Sequence, residues 1–414
     1  MKLSLIIFSL FFGLTAALSQ NTITIKTFLA GAKQQELVVF QKRKLDFLNT
    51  ISYDIPLVKK LEFRTETNDF NFQQQEFLLR VSPNSLKNIK AQRQYQKTVQ
   101  SITEIEVEAT FNKALRKRYD LLVNLIYSKE ILAIKNKQKV LFKDKVNLLK
   151  RSIALPGFDV LDLIEAEDEQ QENLQDILEL ENGILTLKKF IQNTSKSSYP
   201  IQVNKHNMLN INNLKTILAA TKLIQTEDLP QLKAISAKIK HNTFAYEREA
   251  VKSKFSLGYI QAKYGYNEED KFKESFSLGF GFEIPLKNAA RLDLNELQLD
   301  IFESESQYKN TKSQLEDQKY AQYLQIHNLI QKHQLITEQL NESQAEFALK
   351  EYSKIAEASP KAMLKLRENT LKKELILQKI ELQVMQVFVE YLDFSGLLIQ
   401  RPLKNYLSED LEEF

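Results

Sequence analysis

Phe276-Ser277-Leu278-Gly279-Phe280-Gly281-Phe282-Glu283-Ile284-Pro285-Leu286 is the stretch whose reading decides the fold. Large apolar side chains stand at Phe276, Leu278, Phe280, Phe282 and Ile284, and small or polar ones at Ser277, Gly279, Gly281 and Glu283. That is the period of a strand with one face for lipid or core and one that tolerates water. Upstream, Phe255, Leu257 and Tyr259 are expected on one face of a partner strand, and Ser256, Gly258, Ile260 and Ala262 on the other. The Gly-Tyr-Asn-Glu-Glu-Asp stretch that follows reads as a turn, so the spacing predicts a β-hairpin over about 255–285.

The same order of events occurs about 200 positions earlier. Leu61 and Phe63, a polar connection, then Phe77, Leu79 and Val81 set against Gln74, Glu76 and Arg80 predict a first hairpin over about 60–82. Each second strand ends at a proline, Pro83 and Pro285, and each is followed by a long heptad-patterned segment, a break and a second such segment. The chain therefore divides into a first repeat over 20–193, a polar connector over 194–228, a second repeat over 229–397 and a C-terminal tail over 398–414.

The long segments read as helices. In Ser85 to Lys150 one stripe holds Leu115, Tyr119, Leu122, Ile126, Ala133 and Val140, and a second holds Leu121, Leu125, Leu132, Phe142, Val146 and Leu149. Two stripes mean two neighbours, as in the wall of a helical cylinder. At 1.5 Å per residue such a helix is on the order of 100 Å long, more than a compact domain needs. Ile177, Leu180, Ile184, Leu187 and Ile191 repeat the pattern in the first return segment, and Leu364, Leu371, Leu375, Leu382, Met385, Val389 and Leu392 in the second.

Both breaks are sharp, at about 152–159 and 356–361. Leu155-Pro156-Gly157-Phe158 interrupts the heptads, and Asp159 is placed to cap the next helix, with Asp162 in its first turn. In the second break Ser359 precedes Pro360, an N-cap followed by proline at the first helical position. The first return helix begins acidic (Asp159, Asp162, Glu165, Glu167), whereas the second begins basic (Lys361, Lys365, Arg367, Lys372). A basic start opposes the helix dipole, so pairing with the neighbouring acidic tip is expected.

Composition excludes several classes. With Gly 9, Pro 8 and no Cys in 414 residues the chain is too poor in turn formers for an all-β or doubly wound fold, and no disulfide is possible. Lys+Arg 57 against Asp+Glu 53 are interspersed along the heptads, which reads as solvated helix faces and not as a nucleic-acid footprint. His206, His241, His327 and His333 are scattered, His333 reads as a seam residue, and Glu104, Glu106 and Glu108 spread around a helix. No catalytic, metal or cofactor constellation emerges, so the expectation is a non-enzyme. Lys2, an apolar run from Leu3 to Leu14 and the small residues before Gln20 predict a signal peptide over 1–19 and export.

Phe276 to Leu286, followed by Lys-Asn-Ala-Ala-Arg and a Leu/Glu-rich helix, resembles the strand-to-helix signature of the TolC-like outer membrane efflux family. Leu229-Pro230-Gln-Leu-Lys-Ala is similar to that family's entry to its second repeat, Asp162 to Ala166 with Glu167 to its motif past the first tip, and Tyr391-Leu-Asp-Phe-Ser-Gly396-Leu to its ending. The resemblance implies a mainly α fold with a small β part. Long antiparallel helical hairpins would form a trimeric α-barrel, and four strands per chain would contribute to a shared 12-stranded membrane β-barrel. Closure argues the same way, since unpaired backbone groups in hydrocarbon cost several kcal/mol each and single-chain barrels begin at about eight strands.

The implied function is the passive exit duct of a tripartite efflux or type I secretion system, in the outer membrane and extending into the periplasm. Its implied partners are two further copies, outer membrane lipid, a periplasmic adaptor (membrane fusion) protein and an inner-membrane transporter. Phe276, Leu278, Phe280, Phe282 and Ile284 would face lipid. The tips at Leu155, Pro156, Gly157, Asp159, Asp162, Ser359, Pro360, Lys361 and Lys365 would serve adaptor docking or closure. The competing expectation is a coiled-coil interaction protein without a pore, in which those strand residues would pack on helices.

Overall fold

The computed structural model describes residues 22–51, 54–67, 75–203, 205, 208–220, 225–265, 276–284, 291–342, 350–351, 354 and 359–414. The predicted signal peptide, Pro285, His206 and most of the second break lie outside the described residues. In chain order the elements are α1 (Ile25–Ala30), α2 (Glu36–Thr50), β1 (Val58–Thr67), β2 (Gln75–Pro83), α3 (Leu86–Arg151), α4 (Val160–Ser195), α5 (Ile211–Ala220), α6 (Pro230–Lys252), β3 (Ser256–Gly265), β4 (Phe276–Glu283), α7 (Arg291–Glu342) and α8 (Pro360–Phe394). They fall into two compact units. One comprises Val39–Thr110 and Gln225–Leu315, the other Met1–Val38, Phe111–Ile224 and Glu316–Phe414.

The first of these units holds the sheet, antiparallel throughout in the order β1-β2-β3-β4, so the two hairpins of the repeats join through β2 and β3. Register produces a segregation that neither hairpin alone would give. Leu61, Val81, Ile260 and Phe280 form one row across all four strands, and Phe63, Leu79, Ala262 and Leu278 form another. The intervening rows are Glu62, Arg80, Gln261 and Gly279, then Arg64, Leu78, Lys263 and Ser277. Because paired residues share a face, one face is apolar and the other carries the charges.

One expectation needs correction here. Strict alternation puts Leu257 and Tyr259 together, but a register shift between them leaves Leu257 opposite Phe282 and Tyr259 opposite Gly281. A bulge adds one residue to one strand, so faces exchange across it. Leu257 joins Ile260 and Ala262 on the apolar face, and Tyr259 moves to the polar one.

Helices of the same unit are tied by polar contacts at their seams. Ser85 Oγ accepts from Asn88 N at 3.1 Å and caps α3. Lys44 of α2 reaches Glu106 of α3 at 2.9 Å. His241 of α6 sits with its Nδ1 3.0 Å from Thr98 Oγ1 and its ring 4.4 Å from that of Tyr95. Burial, and then the charge of Arg248, lower its pKa.

In the other unit the core gathers on the middle of α3, where Leu115, Tyr119, Leu122 and Ile126 of the first predicted stripe and Leu121 and Leu125 of the second are all buried. Beyond them the stripes part. Phe142, Val146 and Leu149 stay buried, while Ala133 and Val140 are exposed. Arg118 is buried, has no carboxylate partner among the described residues and donates to three backbone carbonyls, Phe28 at 2.7 Å, Gly31 at 3.0 Å and Thr194 at 3.1 Å. Burial lowers its pKa to about 10. The adjacent Tyr119 hydroxyl donates to Lys404 O at 2.9 Å and accepts from Tyr406 N at 3.2 Å.

The connector and tail are more apolar in use than in composition. Leu209 and Leu214 of the expected polar connector are buried, as are Leu403, Tyr406 and Leu407 of the tail. Leu209 N donates to Leu407 O at 2.9 Å, so the two segments share backbone hydrogen bonding. Ile211, Leu214 and Ile217 follow at three-residue steps, which gives α5 an apolar side to bury.

Candidate channel wall and hairpin tips

The predicted lipid-facing residues are all exposed. Phe276, Leu278, Phe280, Phe282 and Ile284 have relative exposures of 44, 64, 63, 58 and 76%, and Leu61 and Phe63 on β1 reach 66 and 67%. Among the described residues no helix covers them, so they form a contiguous apolar surface that water would penalise. Phe255 stacks on Phe282 with ring centroids 5.3 Å apart, which extends the patch beyond the strand end. None of the described helices is long and apolar enough to cross a membrane.

The opposite face is built of ion pairs and small residues. Glu62 bonds Lys60 at 3.1 Å and Arg64 at 3.5 Å, Arg64 also reaches Glu66 at 3.3 Å, and Lys263 reaches Glu76 at 2.6 Å. Tyr259 lies flat over Gly281, where a Cβ would fall well inside contact distance of the ring, and Gln261 lies over Gly279. Those glycines are required because the side chains of β3 occupy the space above β4. Arg80 stacks 4.3 Å above the Tyr259 ring, and its Nε and Nη2 both donate to Gln261 Oε1. Sequence reasoning missed this group, since only the bulge brings Tyr259 to that face.

At the first tip Gly157 adopts φ 81°, a left-handed turn that Pro156 precedes, and Asp159 caps α4 by accepting from Leu161 N at 2.9 Å. Leu155 is exposed, with Ile153, Val160, Leu161 and Ile164 around it. At the second tip Ser359 holds the N-cap position before Pro360, but its side chain makes no capping bond.

The expected pairing of acidic and basic helix starts occurs within one chain. Lys361 donates to Asp162 Oδ2 at 2.5 Å and Lys372 lies 3.9 Å from Glu169, while Lys150 in the last turn of α3 pairs with Glu167 at 2.8 Å. Deeper lies a cluster that the sequence did not reveal: Glu368, whose side chain is 2% exposed, contacts Lys372 at 2.5 Å, Lys145 at 3.5 Å and Lys365 at 3.5 Å. Lys145 also reaches Glu169 at 2.5 Å, which joins α3, α4 and α8. Burial acts to raise the Glu368 pKa, but the hydrogen bond from Lys372 and the three ammonium charges outweigh it and hold the carboxyl below the usual range. Spacing could have suggested Lys365, Glu368 and Lys372 on one helix face; that it points inward could not be read. An open groove of about 1120 Å³ runs alongside, lined by Val140, Leu148, Arg151, Met363 and Arg367 among others.

Among the described residues the histidines gather no site. His333 Nε2 is 3.4 Å from Glu381 Oε1, whose other oxygen takes Lys205 at 2.6 Å, and no metal-holding group occurs among the described residues.

No family model matches the sequence, and no curated protein does either. Solved structures do match. The outer membrane protein VceC from Vibrio cholerae is similar at TM-score 0.62 and 12% identity over 90% of this chain and 96% of that one. CusC, solved in a study of folding and transmembrane channel formation, gives 0.66 and 13% over 90% and 92%. The open state of the Neisseria gonorrhoeae MtrE outer membrane channel gives 0.67 and 8% over 94% and 90%.

Proposed function

We propose that this chain, whose fold is that of the TolC-like outer-membrane channels, is itself an outer-membrane duct: a homotrimer whose twelve strands close a barrel and whose helical hairpins cross the periplasm. The observation that carries the reading is the sheet. Its apolar face is exposed on all four strands, and among the described residues β1 and β4 each have one strand neighbour. In lipid such edges must be paired, and two further copies supply the strands. The exposed apolar residues on α4 (Leu161, Leu178, Leu185) and α7 (Leu292, Leu299, Leu324) are where neighbouring copies would pack.

The transport is passive and noncatalytic. Energy comes from an inner-membrane transporter, and a periplasmic adaptor docks at the tips around Leu155, Pro156 and Gly157 and around Ser359 and Pro360, in an efflux or type I secretion assembly. The signal peptide over 1–19 takes the chain to export. The pore-free coiled-coil reading is disfavoured because it needs Phe276 to Phe282 packed on helices, and they are exposed.

The test is extraction of the full chain from membranes, followed by mass measurement of the solubilised particle and conductance in a planar bilayer. A particle that needs detergent, has the mass of three chains and conducts supports the duct. A monomer released by salt washing overturns it.

A further inference from the structure

We infer that Arg80 is an anion contact on the polar face of the sheet, and that this face favours cargo bearing a carboxylate or a similarly compact anionic group. The inference rests on the proposal that this face lines a water-filled lumen. Four basic residues stand in register there, and three are matched: Lys60 and Arg64 with Glu62 and Glu66, and Lys263 with Glu76. Arg80 has no carboxylate within ion-pair distance among the described residues. Glu62 lies directly opposite in the β1–β2 register and feels the Arg80 charge across the row, but it stays beyond ion-pair distance and its two oxygens are engaged by Lys60 and Arg64.

What Arg80 does have is a mount. Its guanidinium lies 4.3 Å above the Tyr259 ring, and two of its nitrogens share one neutral acceptor, Gln261 Oε1, at 3.2 and 2.9 Å. A guanidinium carries five N–H donors, so most of its hydrogen-bonding capacity remains open. The aromatic face holds the cation in place without neutralising it. Tyr259 is fixed in turn, because the bulge after Leu257 turns it to this face and the missing side chain of Gly281 lets its ring lie flat. A held and planar fork outside any direct ion pair is the arrangement that accepts a carboxylate in two parallel hydrogen bonds, and the Tyr259 ring beside it would meet a ring attached to that carboxylate.

The experiment is block of single-channel current by benzoate, using the full-length purified protein in planar bilayers. Wild type is expected to be blocked in a concentration-dependent way, Arg80→Gln to need about tenfold more benzoate, and Arg80→Lys to fall between, since an ammonium keeps the charge and loses the fork. Arg64→Gln, which removes a matched cation of equal charge, is expected to block like wild type. Equal weakening in Arg80→Gln and Arg64→Gln would show a general field and overturn the site, as would unaltered block in Arg80→Gln. Wild type that conducts nothing would instead overturn the lumen reading, and this inference with it.

Discussion

The sheet and the tip cluster invert each other. The sheet exposes its largest apolar side chains, Phe63, Leu278 and Phe280, while the tip buries a carboxylate, Glu368, among three lysines. In water both are unfavourable arrangements. The sheet makes sense if its surroundings are hydrocarbon, and the tip makes sense because the buried carboxylate is matched by Lys372, Lys145 and Lys365. The difference teaches that exposure is a statement about the solvent an element meets, and burial a statement about the partners it finds.

The comparison breaks most readily at the sheet. Phe280→Arg should cost about 2–4 kcal/mol if the residue sits near the bilayer midplane, whereas Ser277→Arg on the polar face should cost far less. Denaturant titration in lipid vesicles would show it, and equal tolerance at both positions would mean that this strand never meets a bilayer.

At the tip, Glu368→Ala leaves Lys145 with Glu169 and leaves Lys365 and Lys372 without their nearest anion. The loss should be about 2 kcal/mol, below the usual range for a broken buried pair, because Lys365 and Lys372 can turn to water. The same carboxylate sets a pH dependence. Its folded pKa lies below the ordinary glutamate value, so its contribution is present above that value and is lost as the pH falls through the folded one. Hydrogen exchange in α8 should therefore quicken under acid in wild type and show a flatter response in Glu368→Gln.

Gly281→Ala sharpens the comparison on the polar face. The added methyl meets the Tyr259 ring, and the overpacking should cost about 1–2 kcal/mol. Tyr259→Ala should relieve it in the double variant, which a thermodynamic cycle would detect. The smallest effect is expected from reversing Lys361 and Arg367 to Glu, which leaves the contact of Lys365 with the buried Glu368 in place. Pairs as exposed as Lys361 with Asp162 are each worth about 0–1 kcal/mol, and the change should fade at high salt. Conductance that is unaltered at both low and high ionic strength would mean that these charges are only solvated.

Much of this was legible in the residues. The alternation from Phe276 to Ile284 marked the apolar face, Asp159 marked the start of α4, and Pro156-Gly157 marked the first turn, because each depends on neighbours one to four positions away. Tyr259 was placed on the wrong face, since a bulge arises from pairing between strands and leaves no mark in either one. Ala133 and Val140 were assigned to a seam that the single chain leaves exposed, because a periodic stripe shows that a helix wants a neighbour without saying whether the same chain provides it.

By itself the sequence determined the repeat, the long helices, the two hairpins and the apolar side of β1, β2 and β4, all from local period and turn chemistry. The tertiary structure decided what depends on distant segments meeting. It joined the hairpins through β2 and β3, set the register that sorts charges from apolar rows, and gathered Lys145, Glu169 and Glu368 from three helices. It also seated Arg80 on Tyr259, residues far apart in sequence whose contact exists only after the sheet has formed.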